Sequence, residues 1–326
     1  MEREHTRNIA GVISALGACA AIFGWSLWSG RNPGTEDFKI VSVAVSRSGS
    51  WLAAGTAAGR VTLWRLGGVT QPIQVRNNNG ALNDLQFSPD ERWLAVANRG
   101  LTLLRVDNLN APKVLCNDDK NYGTVSFSPA GETILTITGS GIIEVLNANT
   151  GRTVTSVCCS TIGGAVAFSP DGLFFLSAGH SPRVWEVRSG KLVTRLTRER
   201  EFMCLCPIAF RGDDVLMGSQ DGGIRVWDLR THQSVGMSPR SSDWVDTIAV
   251  QERTGLVAYA GIGKTLRVWN PETNLHHSVT GVQPTSNVVF SSPDGPLVVG
   301  RANGTVEFWD VQSGERQAIL HLPRNN

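Results

Sequence analysis

Residues 291–321, SSPDGPLVVGRANGTVEFWDVQSGERQAILH, decide the fold. They open on a Ser-Pro-Asp-Gly turn, run through a strand of small residues, and turn again at Asn303-Gly304. A third strand ends on Trp309, and Glu315 to Leu320 forms a fourth extended segment. Proline presets φ and glycine accepts the left-handed region, so the first turn reverses the chain tightly. The alternation in VEFW puts every second side chain on one packing surface, as a strand requires. Four short strands joined by tight turns form one small antiparallel sheet, which needs neighbours to bury its faces.

The pattern recurs from about residue 40 onwards. First-turn strings SRSGS, SPDER, SPAGE, SPDGL, RGDDV, QERTG and SSPDG begin at Ser46, Ser88, Ser128, Ser169, Arg211, Gln251 and Ser291. Third-strand strings RVTLW, LTLL, IIEVL, PRVW, IRVW, LRVW and VEFW place Trp64, Leu104, Leu146, Trp185, Trp227, Trp269 and Trp309 at one repeat position. Their separations are 40, 42, 39, 42, 42 and 40 residues. A period near 40 with four strands per unit is the signature of a propeller. The reading is all-β, a seven-bladed β-propeller of four-stranded antiparallel blades, preceded by one N-terminal hydrophobic helix. The tryptophans are read as core, filling space between adjacent sheets.

The units resemble WD repeats. Trp227-Asp228 and Trp309-Asp310 keep the dipeptide of that family, and Trp185-Glu186 and Trp269-Asn270 are near variants. The resemblance covers roughly residues 40 to 322. It implies an interaction platform that binds proteins without catalysis. The usual glycine-histidine dipeptide before the first strand is absent, and an Asp in the second turn survives only at Asp221. The His–Ser/Thr–Asp–Trp network of many members therefore cannot form, which leaves more of the blade stability to apolar packing. The last repeat carries its own outer strand, Glu315 to Leu320, so the ring is expected to close by packing blade seven on blade one. The alternative has Asp37 to Ile40 adding an outer strand.

The expected organisation is a tail (1–8), an anchor or signal segment (9–28), a linker (29–38), the propeller (39–322) and a C-terminal tail (323–326). Ile9 to Trp28 contains no charged residue. As a helix its 20 residues would reach about 30 Å, enough to cross a bilayer core, and Trp25 and Trp28 suit the interface. The favoured reading is a single-pass membrane anchor. Competing readings are signal cleavage at Ala18-Cys19-Ala20 and a lipobox, Leu16-Gly17-Ala18-Cys19, giving a secreted protein or a lipoprotein near Cys19. Arg3 and Arg7 before the segment, against Arg31 and Lys39 after it, tip slightly towards a propeller on the extracytoplasmic side.

Thirty basic against 28 acidic residues, with no block of like charge, argue against nucleic acid as a partner. No HExxH, GxSxG or phosphate-loop motif occurs, and the six histidines lack metal spacing. Asp118-Asp119 and Asp213-Asp214 read as solvated turn residues, and the sequon Asn303-Gly304-Thr305 as turn chemistry. No cofactor, metal site or catalytic residue is expected. Cys116, Cys158, Cys159, Cys204 and Cys206 fall beside the connectors into the inner strands of blades three to five. They read as small buried hydrophobes, with a clustered disulfide or thiol-metal role as the alternative.

The connectors that lead into the inner strands form the expected partner-binding face. They carry Tyr122, Arg198, Arg200, Phe202, Arg240 and Trp244, residue types that enrich interface hot spots. The function expected is a non-catalytic, membrane-tethered protein–protein interaction scaffold whose protein partners the sequence does not identify. An envelope ligand-binding or sensor propeller is the alternative, marked by an emptied polar channel. A propeller enzyme comes last, because no site constellation supports it.

Overall fold

In a computed structural model, residues 38–323 are described except 69–70, 77–79, 118, 159–163, 180, 197–206, 241–242, 262–264 and 283–286. They form seven four-stranded antiparallel sheets, each built from four consecutive strands in meander order. The innermost strands are Ile40–Val45, Asp84–Phe87, Tyr122–Phe127, Val166–Phe168, Ile208–Arg211, Val245–Val250 and Val288–Phe290. No helix among the described residues is long and apolar enough to cross a membrane. The N-terminal helix read over residues 9–28 lies outside the described residues.

Seven apolar clusters occupy the seven seams between neighbouring blades. Each repeat-position residue packs towards the blade before it: Leu104 joins blade one's Val61 and Leu63, and Trp227 joins blade four's Leu176 and Val184. All seven of these residues are buried, from Leu146 at 1% exposure to Trp185 at 8%. Two sheet faces per seam and one large ring or leucine at the same height are what a period-two strand pattern dictates.

The first turn of each blade shows why serine begins so many of them. The hydroxyls of Ser46, Ser88, Ser128 and Ser169 accept from the backbone N–H of Trp51, Trp93, Thr133 and Phe174, at 3.0–3.2 Å. The hydroxyl thereby takes the N–H that opens the second strand. Gly172 closes one such turn at a φ of 70°, with its Cα against Pro129 of the preceding blade, where a Cβ would come within 3.2 Å of the ring. Glycine is required by conformation and tight by contact there.

The family's tryptophan network is reduced and rewired. In blade four Trp185 Nε1 still donates to Ser177 Oγ at 3.0 Å, so half of the usual network survives. Trp269 Nε1 instead donates to Asn274 Oδ1 at 3.1 Å, and Trp309 Nε1 to Glu307 Oε2 at 3.0 Å. A buried indole N–H needs an acceptor, and local substitutes supply it where the family's residues are missing.

Blade seven provides all four of its strands, ending with Arg316–His321, and Ile40–Val45 pairs only with Trp51–Thr56. Asp37 to Ile40 therefore adds no outer strand to blade seven, and Ile40 opens the inner strand of blade one. Closure rests on a cluster joining Ile40, Val43 and Trp64 to Val289, Val298 and Phe308. Asn287 adds a two-pronged bond across the seam: Val43 N–H donates to Asn287 Oδ1 at 2.7 Å, and Asn287 Nδ2 donates to the Val43 carbonyl at 2.8 Å.

Candidate functional site

Two surfaces converge on the axis: the face of connectors entering the inner strands, and the channel wall those strands line. On the entering face, the second turn of blade five (Ser219 to Gly223) organises the ground between blades five and six. Asp221 Oδ1 accepts from Gly223 N–H at 3.1 Å, and Asp221 Oδ2 lies 3.2 Å from both Arg225 Nη2 and Arg240 Nε. Partial burial works against ionisation of Asp221. The Gly223 amide, the Ser219 hydroxyl and the two guanidiniums outweigh it and hold the carboxyl below its ordinary range. One carboxylate thus orders two arginines, and the Arg240 side chain stays 59% exposed.

Trp244 stands beside this turn. The next residue, Val245, donates its N–H to the Ser219 carbonyl at 3.1 Å. A Cβ on Gly261 would lie 1.6 Å from the Trp244 carbonyl oxygen, so only glycine admits this approach. The backbone of Trp244 is thus seated closely while 42% of the residue is exposed. Met237, 41% exposed, and Arg240 both lie within 3.6 Å of where a Gly223 side chain would begin. Methionine and arginine therefore meet over Gly223, with Trp244 next to the Val245–Ser219 bond and a neighbouring ion pair, Arg267 to Asp243 at 3.7 Å.

The other residues read as partner-facing separate into two groups. Tyr122 is fully buried, with its hydroxyl 3.4 Å from Glu144 Oε2, so its side chain leaves the candidate face. It opens the inner strand of blade three, not the connector before it, and its ring turns into the seam between blades two and three. Arg198, Arg200 and Phe202 lie outside the described residues. Of the cysteines, Cys116 is partly buried and Cys158 exposed, both as free thiols; Cys159, Cys204 and Cys206 lie outside the described residues. No metal-holding group of three ligands occurs among the described residues. Asn303 Oδ1 accepts from Thr305 N–H at 3.1 Å and Thr305 Oγ1 at 2.7 Å, so this asparagine organises its turn.

The channel wall carries a feature not anticipated from sequence. An inner strand has one edge unpaired in its own sheet, with N–H groups that point at the axis. At four consecutive seams a side chain of one blade caps the corresponding N–H of the next. Thr247 Oγ1 accepts from Val288, Asn287 Oδ1 from Val43, Ser42 Oγ from Leu85, and Asp84 Oδ2 from Val125, at 2.7–3.2 Å. The capping residue sits three places before the end of the inner strand's last apolar residue in every blade. Thr124, Ala165 and Pro207 hold that place in blades three, four and five, and no such cap is formed there among the described residues. Beside the capped seams lies a cavity of about 180 Å³, lined by Val43, Asp84, Leu85, Val125 and Asn287 and reaching the first turns at Arg47 and Glu252.

Comparison with known proteins agrees with this architecture. A family model described as "WD domain, G-beta repeat" matches residues 31–65. The chain is 22% identical over 235 residues to COMPASS component SWD3 of Saccharomyces cerevisiae, covering 70% of this chain and 64% of that protein. It is 24% identical over 315 residues to Actin-interacting protein 1 of Drosophila melanogaster, covering 90% and 51%. It is 29% identical over 152 residues to the Synechocystis protein "Uncharacterized WD repeat-containing protein sll1491", covering 42% and 40%. The chain spans less than two thirds of the length of each of these relatives. With seven sheets in meander order, buried repeat-position tryptophans and these likenesses, the chain is a seven-bladed β-propeller whose repeats are similar to WD repeats.

Proposed function

We propose that this protein is a non-catalytic scaffold that holds protein partners on its entering face, with Arg240 and Trp244 as anchors. The observation that carries the reading is Trp244, whose backbone is seated against Gly261 while 42% of the residue is exposed, near an arginine ordered by Asp221. Anchors that lose little freedom on binding are the ones that dominate interface energetics. Relatives named as a complex component and as an actin-interacting protein support a binding role over a chemical one. On the sequence of residues 9–28 we further propose a single membrane anchor, with the propeller on the extracytoplasmic side.

The test is crosslinking in native cells followed by detergent extraction and affinity capture of the tagged full-length chain. A stoichiometric partner should be retained by wild type and by a control variant on the opposite face, Leu173→Ala. It should be lost from Trp244→Ala and from Arg240→Glu. Equal retention by all four proteins would refute the assignment of the face. The anchor is tested separately: the full chain should resist alkaline carbonate extraction from membranes, and a chain lacking residues 9–28 should not.

A further inference from the structure

Three carboxylates are buried among the described residues, and two have cations beside them. Glu144 lies 2.9 Å from Lys120 Nζ, and Glu307 lies 3.3 Å from Arg301 and 3.5 Å from Arg316. Asp84 is 1% exposed, and no cation among the described residues lies within ion-pair distance of it. Its contacts are donors only: Ser42 Oγ at 3.1 Å and Leu85 N–H at 2.8 Å to Oδ1, and Val125 N–H at 3.1 Å to Oδ2. A carboxylate offers about four acceptor directions, so three donors leave one open, on Oδ2.

The capping bonds place the carboxyl group itself. Leu85 and Val125 are inner-strand residues whose N–H groups project off the sheet edge towards the axis. A carboxylate that caps both must stand at the channel wall, and Asp84 lines the cavity of about 180 Å³ there. Around it the wall is mixed: Val43, Leu85 and Val125 stand beside Asp84, with Gln86 and Asn287 also in the lining. A buried carboxyl group at the wall of a cavity, with no counter-ion of its own, is an arrangement that a cationic ligand completes.

We propose that this channel cavity binds an organic monocation, an alkylammonium or guanidinium group, with Asp84 as its counter-ion. The aliphatic walls take the alkyl stem and the open Oδ2 direction takes an N–H of the head. A divalent metal fits poorly, because it demands six or more oxygen ligands and Asp84 is the one buried carboxylate of this wall, Glu252 standing exposed at its turn end.

Proton balance gives the site a signature. Burial drives the Asp84 carboxyl up to about 8, against the lowering effect of its three donors. Near neutral pH the empty site therefore holds a proton, and cation binding expels it to solvent. The strands packed against Asp84, namely Ile40–Val45, Trp93–Ala97 and Tyr122–Phe127, contribute no ionisable side chain except Tyr122, whose hydroxyl turns to Glu144. Arg47 and Glu252 stand at the turn end of the cavity. The titration sensed by the ligand is thus that of Asp84.

The experiment is calorimetric titration of the full-length protein with butylammonium chloride, butylguanidinium chloride and, as the uncharged probe, butanol. At least one cation should bind saturably at one per chain, more tightly than butanol. Its affinity should rise by up to about tenfold per pH unit between pH 6 and 8 and then level off. Titration in buffers of different ionisation enthalpy should report about one proton released below pH 7, and Asp84→Asn should abolish the saturable phase. Absence of saturable cation binding, or binding independent of pH, overturns the proposal. The wild-type pH series and proton count decide the matter even if Asp84→Asn does not fold. Neither readout involves Trp244 or Arg240, so failure here leaves the entering-face reading standing.

Discussion

Replacing Asn287 with Ala should open the ring where it has no strand exchange to hold it. Among the described residues, the seam between blades seven and one is joined by apolar packing, by the Ile40 N–H donated to the Arg301 carbonyl at 3.4 Å, by Gln74 Nε2 donated to the Pro323 carbonyl at 3.5 Å, and by the paired bonds of Asn287 with the Val43 backbone, at 2.7 and 2.8 Å. Val43 is 1% exposed and Asn287 8%, so truncation orphans a buried N–H and a buried C=O together. Each such group costs about 1–3 kcal/mol when left unpaired. The adjoining cavity, lined by both residues, admits water and trims the total. The expected loss is about 2–3 kcal/mol. Thr247→Val is the internal control: it removes one acceptor, from Val288 N–H, at the preceding seam, and should cost about 1 kcal/mol. Urea unfolding of the full chain gives the stabilities, and native-state hydrogen exchange gives the site. The Val43 amide should lose protection in Asn287→Ala and keep it in Thr247→Val. A loss below about 0.5 kcal/mol with Val43 protection unchanged would refute the view that this asparagine fastens the ring.

Other consequences follow from the same coordinates. Trp227→Ala, at a position 3% exposed in the seam between blades four and five, should cost about 3–5 kcal/mol, read as a lowered urea midpoint. Gly261→Ala forces a Cβ against the Trp244 carbonyl and should lower stability by about 1–3 kcal/mol while weakening partner retention, measured by thermal unfolding and by the capture assay. Asp84 sets a pH dependence of folding. Its carboxyl is raised in the folded state to about 8 from an ordinary 3.8, so its neutral form is the one the fold favours. The associated stability is complete below about pH 4 and declines as pH rises towards 8. At about 1.4 kcal/mol per unit the ceiling is about 6 kcal/mol, and water entering the cavity brings the expected fall to on the order of 2–3 kcal/mol. Unfolding midpoints between pH 5 and 9 should fall in wild type and less in Asp84→Asn; parallel curves would show that another group is responsible.

How much of this was legible beforehand depends on whether a feature repeats. Blade number and boundaries are encoded seven times, so the departures at Leu104 and Leu146 did not obscure the period. The tryptophan network was misjudged because the sequence argument asked only for the family's residues. The structure satisfies the indole N–H groups of Trp185, Trp269 and Trp309 with acceptors that lie near, Ser177, Asn274 and Glu307. Tyr122 was misplaced by a single position. A residue that ends a connector and one that opens a strand are adjacent in sequence, but one faces solvent and the other the seam.

The channel caps were the feature that sequence reading could have found and did not. Aligning the inner strands on their last apolar residue puts Ser42, Asp84, Thr124, Ala165, Pro207, Thr247 and Asn287 in one column, polar in five blades and without a hydrogen-bonding side chain in two. A polar side chain in a strand that must be buried on both faces is costly unless a partner waits for it. In a propeller the unpaired N–H of the next inner strand is that partner. Four of the five polar residues of the column pin a seam at the axis, and Thr124 forms no such cap among the described residues. Those joining blades six, seven, one, two and three are pinned, and the cavity lies against the same blades. The sector from blade three to blade six lacks the pins, and the Trp244 patch stands on its far edge. Four consecutive seams are thus fastened around the channel cavity, and the Trp244 patch lies beyond them. That division is the physical reason to look for a small ligand on the first side and a protein on the second.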